Sequence, residues 1–136
     1  MTHLLDTSAF TQSRRNLNAA NRVDELARSG DLAVSSIIML EILFAAQNRR
    51  DWVRLRKALD VLPHVELTQP VDAVEVQRRL VDRGQHRTPI IDVLVAATAA
   101  ENGLTVLHYD RDFERLSEVT GGAHEWVIPA GTGHQR

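Results

Sequence analysis

Two segments of this chain are apolar around nearly the whole circumference of a helix, and each contains a single acidic side chain. Segment 36–46 reads SIIMLEILFAA with Glu41 as its only charge, and segment 89–100 reads PIIDVLVAATAA with Asp92 as its only charge. A helix that is apolar all round is buried in a protein core. A buried ionised carboxylate costs on the order of several kcal/mol unless another group compensates it. The pattern therefore predicts two core helices whose acids share a partner.

Short apolar runs alternate with helical segments along the chain. We predict strands at 3–5, 32–35, 65–67, 104–108 and 126–128. We predict helices at 18–29, 36–48, 52–62, 70–84, 89–102 and 110–118, with a turn or helix start at 6–8, Ser36 capping the second helix and Thr68 capping the fourth. Strands that alternate with helices indicate an α/β fold, in which helices cover a parallel sheet.

The composition is typical of a globular protein and excludes several classes. The chain has 136 residues, of which 43% are hydrophobic and 25% charged, near the commonest size of one domain. It has no cysteine, which excludes disulfides and zinc–thiolate sites and fits the reducing cytoplasm. No apolar stretch approaches the ~18–20 residues of a membrane span, and the start does not resemble a signal peptide. We expect a domain over 1–130 and a flexible tail over 131–136.

Further acids follow the ends of predicted strands. Asp6 comes directly after 3–5, and Asp110 and Asp112 follow the run LTVLHY. The carboxyl ends of parallel strands form the edge of the sheet where ligands bind. Any one acid has an ordinary alternative role, because Asp is a preferred helix cap and Glu41 could pair with a buried arginine. Taken together, the acids predict a cluster at this edge.

A cluster of carboxylates requires a cation. Two like charges ~4 Å apart repel by about 4 kcal/mol at an effective dielectric constant of ~20. Hard divalent cations take oxygen ligands, and Mg²⁺ combines one or two carboxylates with waters and phosphate oxygens. Such an ion can acidify water and stabilise charge on a phosphate that is being transferred. The acids therefore predict metal-dependent hydrolysis.

Four segments that span most of the chain also resemble a known family. In order and spacing they resemble the four sequence blocks of PIN domains, and more narrowly the VapC-type ribonuclease toxins of bacterial toxin–antitoxin pairs: LLDTSAF, SSIIMLEILFAA, TPIIDVLVAATAA and LHYDRDFERL. The resemblance implies a PIN-like three-layer α/β/α sandwich, with a small central parallel sheet surrounded by helices.

The resemblance also implies roles for individual residues. The catalytic acids would be Asp6, Glu41, Asp92 and Asp110. The metal ligands would come from Asp6, Asp92, Asp110 and Asp112, with the division between Asp110 and Asp112 left open. Thr7 or Ser8 would support Asp6 or contact phosphate.

The activity that the resemblance implies is Mg²⁺-dependent endonucleolytic cleavage of RNA, with Mn²⁺ as the alternative ion. The RNA substrate would be tRNA, rRNA or mRNA, and the products would carry a 5′-phosphate. The expected partners are a cognate antitoxin protein and a second copy of the chain, in the cytoplasm.

Basic and apolar residues on the predicted helices each have two possible roles. The net charge is −2, and 15 of the 16 basic residues are arginine. Arg50 and Arg54 are candidate RNA contacts, with a solvated helix face as the equal alternative. Arg87, near Pro89 and Asp92, is a further candidate for a phosphate contact, although a solvated position is the stronger interpretation for it. The six histidines lack zinc-site spacing and are interpreted as structural or surface residues. A helical row of apolar residues indicates core packing, with a dimer or antitoxin surface as the alternative: Trp52, Leu55, Leu59 and Leu62.

Two other functions compete with the nuclease. A phosphatase with Asp6 as nucleophile usually has a second Asp two residues later, where this chain has Ser8. A PIN-like module that binds RNA or protein without cleavage is the remaining alternative. Stabilisation by a divalent cation distinguishes the nuclease from that module.

Overall fold

The computed structural model describes residues 1–133, and within that range it contains four strands and seven helices. In chain order they are β1 His3–Leu5, α1 Thr7–Ser13, α2 Leu17–Arg28, β2 Leu32–Ala33, α3 Ser36–Phe44, α4 Arg49–Asp60, α5 Val71–Asp82, α6 Ile90–Asn102, β3 Thr105–His108, α7 Asp112–Thr120 and β4 His124–Trp126. The predicted α/β architecture is confirmed.

The strands form one parallel sheet in the order β2-β1-β3-β4. The central strands β1 and β3 are in register, with Leu5 opposite Leu107, and both of these leucines are buried. Continuous apolar strands of this kind are typical of a parallel sheet that is covered on both faces. The Asp6 amide donates to the Leu107 carbonyl at 3.0 Å, which places the residues after both strands at one edge.

Side-chain caps set the starts of several helices. Asp6, Asn16, Ser35 and Asn48 each lie just before a helix and accept a hydrogen bond from an amide in its first turn. Such caps satisfy amides that have no partner within the helix. Gly103 ends α6 in the left-handed conformation, at φ 66°. Capping by Asn48 is the reason that α4 begins at Arg49, three residues before the predicted start.

Helix α6 lies in the core, whereas α3 is only partly covered. Helix α6 contacts α3, α5, α7 and β3. On α3, Leu40 is 67% exposed and Phe44 is 92% exposed. The prediction that segment 36–46 is buried on nearly all faces is therefore wrong for one face of the helix.

Several other local predictions are wrong. Segment 65–67 is not a strand, since only an isolated bridge joins His64 to Val34. The cap of α3 is Ser35 rather than Ser36, and the helix ends at Phe44 rather than near 48. Helix α5 has no side-chain cap, so Thr68 does not have that role.

Elements near the chain ends also differ from expectation. The short helix begins at Asp112, and the last strand covers His124–Trp126 rather than 126–128. The predicted turn at 6–8 opens a full helix, α1. Within the predicted tail, the Gly131 amide donates to the Tyr109 hydroxyl, and residues 134–136 lie outside the described part. In residues 1–133, no helix is long and apolar enough to cross a membrane.

Candidate active site

Three aspartates from two separate segments converge at the carboxyl edge of the sheet. Asp92 lies in the first turn of α6, Asp110 follows β3, and Asp112 begins α7. One carboxylate oxygen from each lies within 4.8 Å of the others. The Asp112 amide donates to Asp110 Oδ1 at 2.9 Å, and Asp112 Oδ1 accepts from Arg115 at 2.7 Å. The fold therefore brings together acids that are 18 to 20 positions apart in sequence.

Asp6 lies beside this group and is 3% exposed. Its Oδ2 accepts hydrogen bonds from the Ser8 amide at 3.0 Å and the Ser8 hydroxyl at 2.5 Å. Burial raises the pKa of Asp6 to about 6, the Ser8 bonds oppose this shift, and the charges of Glu41 and Asp110 add to it. Asp6 is thus electrostatically coupled to acids on two sides, although it lies outside the 4.8 Å group found among residues 1–133.

Asp92 has the largest perturbation among these acids. It is 9% exposed, and burial raises its pKa to about 8, followed by the charges of Asp6 and Asp110 and a hydrogen bond to Asp110. Carboxylates that share a site cannot all ionise without a cation. A divalent cation would favour the ionised forms and satisfy the cluster's oxygens. The donor set fits a hard divalent ion.

Glu41 lies on the other side of Asp6, on the half-buried part of α3. Its Oε1 accepts a hydrogen bond from the Thr7 hydroxyl at 2.5 Å. The two predicted supporting residues therefore contact different acids, because Thr7 binds Glu41 and Ser8 binds Asp6. The Ser8 hydroxyl also accepts from the Tyr109 amide at 2.8 Å, which joins α1 to the end of β3.

A buried histidine holds the loop that carries Asp110. His108 is fully buried, and its Nδ1 accepts the Asp110 amide at 3.0 Å. Its Nε2 therefore carries the proton and donates to His124 Nδ1 at 2.9 Å. Burial, followed by the nearby His124, lowers the pKa of His108 to about 4, so the ring is neutral. This link was not predicted, because the six histidines are scattered along the sequence; the position of His108 two residues before Asp110 was the available signal.

The structure places the predicted RNA-binding arginines at exposed positions of α4 and of the segment before α6. Arg50 and Arg54 are on α4, Arg87 precedes α6, and all three are exposed. Arg54 pairs with Asp51 on its own helix. Arg56 on α4 likewise pairs with Asp60, and Arg78 and Arg79 on α5 both pair with Glu75. Solvated helix faces account for these pairs.

The predicted apolar row on α4 divides between core and surface. Leu55 and Leu59 are buried, as core packing requires. Trp52 is partly exposed and lies under the Arg56 guanidinium, 5.8 Å from its carbon to the ring centroid. Core packing is thus confirmed for the two leucines, and Trp52 remains available at the surface.

A cavity of about 360 Å³ opens next to Glu41 and Thr7. Residues of α1, α3 and the start of α4 form its walls, and Arg14 and Arg15 lie in its lining. Neither arginine is among the predicted RNA-binding residues. Their only signal in the sequence was that they directly follow the helix that Asp6 caps.

Comparisons with known proteins show the family of the chain and relatives of its fold. The family model for the PIN domain matches residues 3–119. Two ribonucleases of Mycobacterium tuberculosis, VapC51 and VapC21, are each 39% identical to this chain, over 132 and 136 residues, and each alignment covers 96% of both chains. The fold is similar to a chain of the DNA-bound VapBC structure from Salmonella typhimurium, with a TM-score of 0.77, 20% identity, and coverage of 94% of this chain and 99% of that one.

Proposed function

The chain belongs to the PIN-domain family and, within it, to the VapC ribonucleases, and on this premise we propose that it is an Mg²⁺-dependent endoribonuclease, with Mn²⁺ as the alternative ion, that acts as a cytoplasmic toxin. One observation carries the proposal of a metal centre. Asp92, Asp110 and Asp112 place carboxylate oxygens within 4.8 Å of one another beside the buried Asp6.

We assign the ion to Asp92, Asp110 and Asp112. Asp6 lies beside these three ligands. When bound, the divalent ion supplies Lewis-acid stabilisation of phosphate charge and acidifies water. The raised pKa values of Asp6 and Asp92 mean that the cluster without an ion binds protons tightly, so a cation competes with protons for these oxygens. The neutral His108 holds the backbone amide of Asp110.

Glu41 is our candidate for the proton acceptor. The Thr7 hydroxyl donates a hydrogen bond to Glu41 Oε1, and Oε2 has no hydrogen-bond partner among residues 1–133. A half-buried carboxylate that is positioned through one oxygen and can accept a proton on the other suits general base catalysis. The proton of the attacking water would pass to Oε2, the water oxygen would form a bond to phosphorus, and the bond to the 3′-oxygen would break. The leaving 3′-oxygen would take a proton from solvent water. The products would carry a 5′-phosphate and a 3′-hydroxyl.

The test is digestion of total RNA by the wild type in Mg²⁺, Mn²⁺ or EDTA, followed by mapping of the RNA ends. We expect discrete cuts that require the ion and carry 5′-phosphates. Asp92→Asn should abolish them, and Asp24→Asn, on the exposed face of α2, should not. Cuts that persist in EDTA, or 2′,3′-cyclic phosphate ends, would contradict the proposed chemistry. RNA binding without cuts in any ion would favour the binding module.

We also propose two protein partners. The structurally similar chain comes from a complex described as VapBC, which supports a cognate antitoxin for this protein. For the homodimer, the surface that we propose is the exposed face of α3, where Leu40 and Phe44 lie one turn apart. Adjacent exposed apolar side chains of this size mark an interaction surface. Light scattering should show a dimer for the wild type and a monomer for Phe44→Asp; an unchanged dimer would place the interface elsewhere.

A further inference from the structure

The cavity beside Glu41 forms a groove that is bordered by α1, α3 and the start of α4. Thr7 and Glu41 line it next to the cluster, and Arg14 and Arg15, at the C-terminal end of α1, also line it. Its volume of about 360 Å³ is at the lower end of the range of small-molecule pockets, ~300–1,000 Å³. A single nucleotide suits this space, whereas a rigid RNA duplex does not.

The charges of the two arginines are not neutralised by an ion pair within residues 1–133. Neither side chain forms an ion pair within residues 1–133, in contrast to Arg54, which pairs with Asp51 at the same groove. The Arg14 guanidinium lies over the Phe10 ring, 5.6 Å from its centroid. A guanidinium supported by an aromatic ring is a suitable group for binding phosphate or for stacking on a base.

The acids of the groove restrict where a phosphate can lie. Asp51 accepts the Gln47 amide at 3.0 Å and pairs with Arg54, and these contacts, together with the charge of Arg14, hold its pKa below the usual range. Asp51 therefore stays anionic, as a phosphate does, and Glu41 is a second acid in the lining. A phosphate in this groove is attracted to Arg14 and Arg15 and repelled by both acids.

We propose that this groove is a nucleotide subsite for single-stranded RNA adjacent to the scissile phosphate, in which Arg14 and Arg15 bind a neighbouring phosphate and Phe10 contacts the base or ribose. The subsite rests on the proposed nuclease function, since it assigns the groove to the same substrate. It explains why a chain with a net charge of −2 has, in the groove beside Glu41, two arginines that form no ion pair within residues 1–133.

The first test measures binding rather than cleavage. In an Asp92→Asn background, fluorescence anisotropy follows a labelled ten-nucleotide single-stranded RNA of mixed sequence. Replacing Arg14 and Arg15 by Ala should raise Kd at least about tenfold, because the charge-assisted bonds to phosphate can no longer form. The slope of log Kd against log salt should fall by about 0.7 for each phosphate that the variant no longer binds.

The matched control is Arg28→Ala. Arg28 is exposed, has no ion pair in the described part of the chain, and lies at the amino edge of the sheet near Asp31, whose carbonyl binds the Thr2 and His3 amides. It should leave Kd within about twofold of the background. Equal effects of the Arg14/Arg15 and Arg28 replacements would overturn the proposal, as would equal affinity for the same RNA in duplex form.

A second variant tests the groove without altering charge. Ala45 is exposed at the end of α3 and lines the groove, so Ala45→Phe should fill it and raise Kd with an unchanged salt slope. Ala123→Phe, at the far edge of the sheet, is the size control. Unaltered binding by Ala45→Phe would overturn the subsite. An RNA that binds through Arg14 and Arg15 but is never cleaved by the wild type would refute only the nuclease proposal.

Discussion

Helices α3 and α6 have the same sequence pattern but different environments. Each is apolar except for one acid, and both acids lie near Asp6. Helix α6 is enclosed by three helices and a strand, so burial dominates the behaviour of Asp92. Helix α3 is covered on one side only, and Glu41 is held by Thr7 at the border of an open groove. An apolar segment thus predicts that a helix face is buried. It does not predict whether the same chain or another molecule buries that face.

The largest expected difference between the two helices is in catalysis. Asp92→Asn should lower the rate of RNA cleavage at least about 10³-fold, because it removes a carboxylate assigned to the ion, and such ions contribute several kcal/mol. Glu41→Gln keeps the Thr7 hydrogen bond and removes only the proton acceptor, so we expect a fall of about 10²-fold. The measurement is single-turnover cleavage of a mapped RNA. Equal reductions in rate would remove the distinction between the two acids.

The next effect is stabilisation by the ion. At a free Mg²⁺ or Mn²⁺ concentration of 100 times Kd, the wild type should gain about 2.7 kcal/mol, or roughly 8 °C in Tm. Asp92→Asn should lose most of this stabilisation and Glu41→Gln only a small part. Differential scanning fluorimetry with an EDTA reference measures both. A similar stabilisation of all three proteins would place the ion away from Asp92.

A smaller effect is the pH dependence of stability without metal. Folding raises the pKa of Asp92 to about 8 from its ordinary value of 3.8, so the folded state binds this proton more tightly than the unfolded state. The associated stability is present below pH ~4 and is lost as the pH rises to about 8. In EDTA, the unfolding free energy of Asp92→Asn should exceed that of the wild type at pH 8.5, because the neutral amide has no charge to bury.

Two controls accompany this pH measurement. The difference between wild type and Asp92→Asn should disappear by pH 4, where the side chain is protonated in the folded state and about half protonated in the unfolded state. Asp24→Asn should follow the wild type at each pH. Chemical denaturation at pH 4, 6 and 8.5 provides the free energies, and a constant difference across this range would contradict the assigned cause.

The smallest expected effect concerns the exposed face of α3. In the monomeric state, Phe44→Ala should change the unfolding free energy by no more than about 0.5 kcal/mol, because the ring contacts mainly solvent. Val95→Ala, on the enclosed α6, should cost about 2 kcal/mol through its cavity. Urea denaturation at low protein concentration measures both. A large destabilisation by Phe44→Ala would show that the ring packs within its own chain.

Most of the acidic cluster could be predicted from local patterns. Asp6 and Asp110 follow apolar strands, and parallel strands end at one edge, so their proximity follows from the fold class. The separate contacts of Thr7 and Ser8 were not predictable, because they depend on the angle at which α1 leaves β1. The contact of His108 with the Asp110 amide was also not predictable. The tautomer of a histidine depends on its hydrogen-bond partners, and the sequence does not give those partners.

The sequence by itself determined the alternation of strands and helices, the parallel sheet and the identity of the unusual acids, because these depend on periodicity and on the cost of burying charge. Only the tertiary structure decided which acids place oxygens within 4.8 Å of one another, which face of α3 is left open, and where Arg14 and Arg15 lie relative to Glu41. These features depend on the relative placement of helices that are distant in sequence. Local pattern carries no information about such placement.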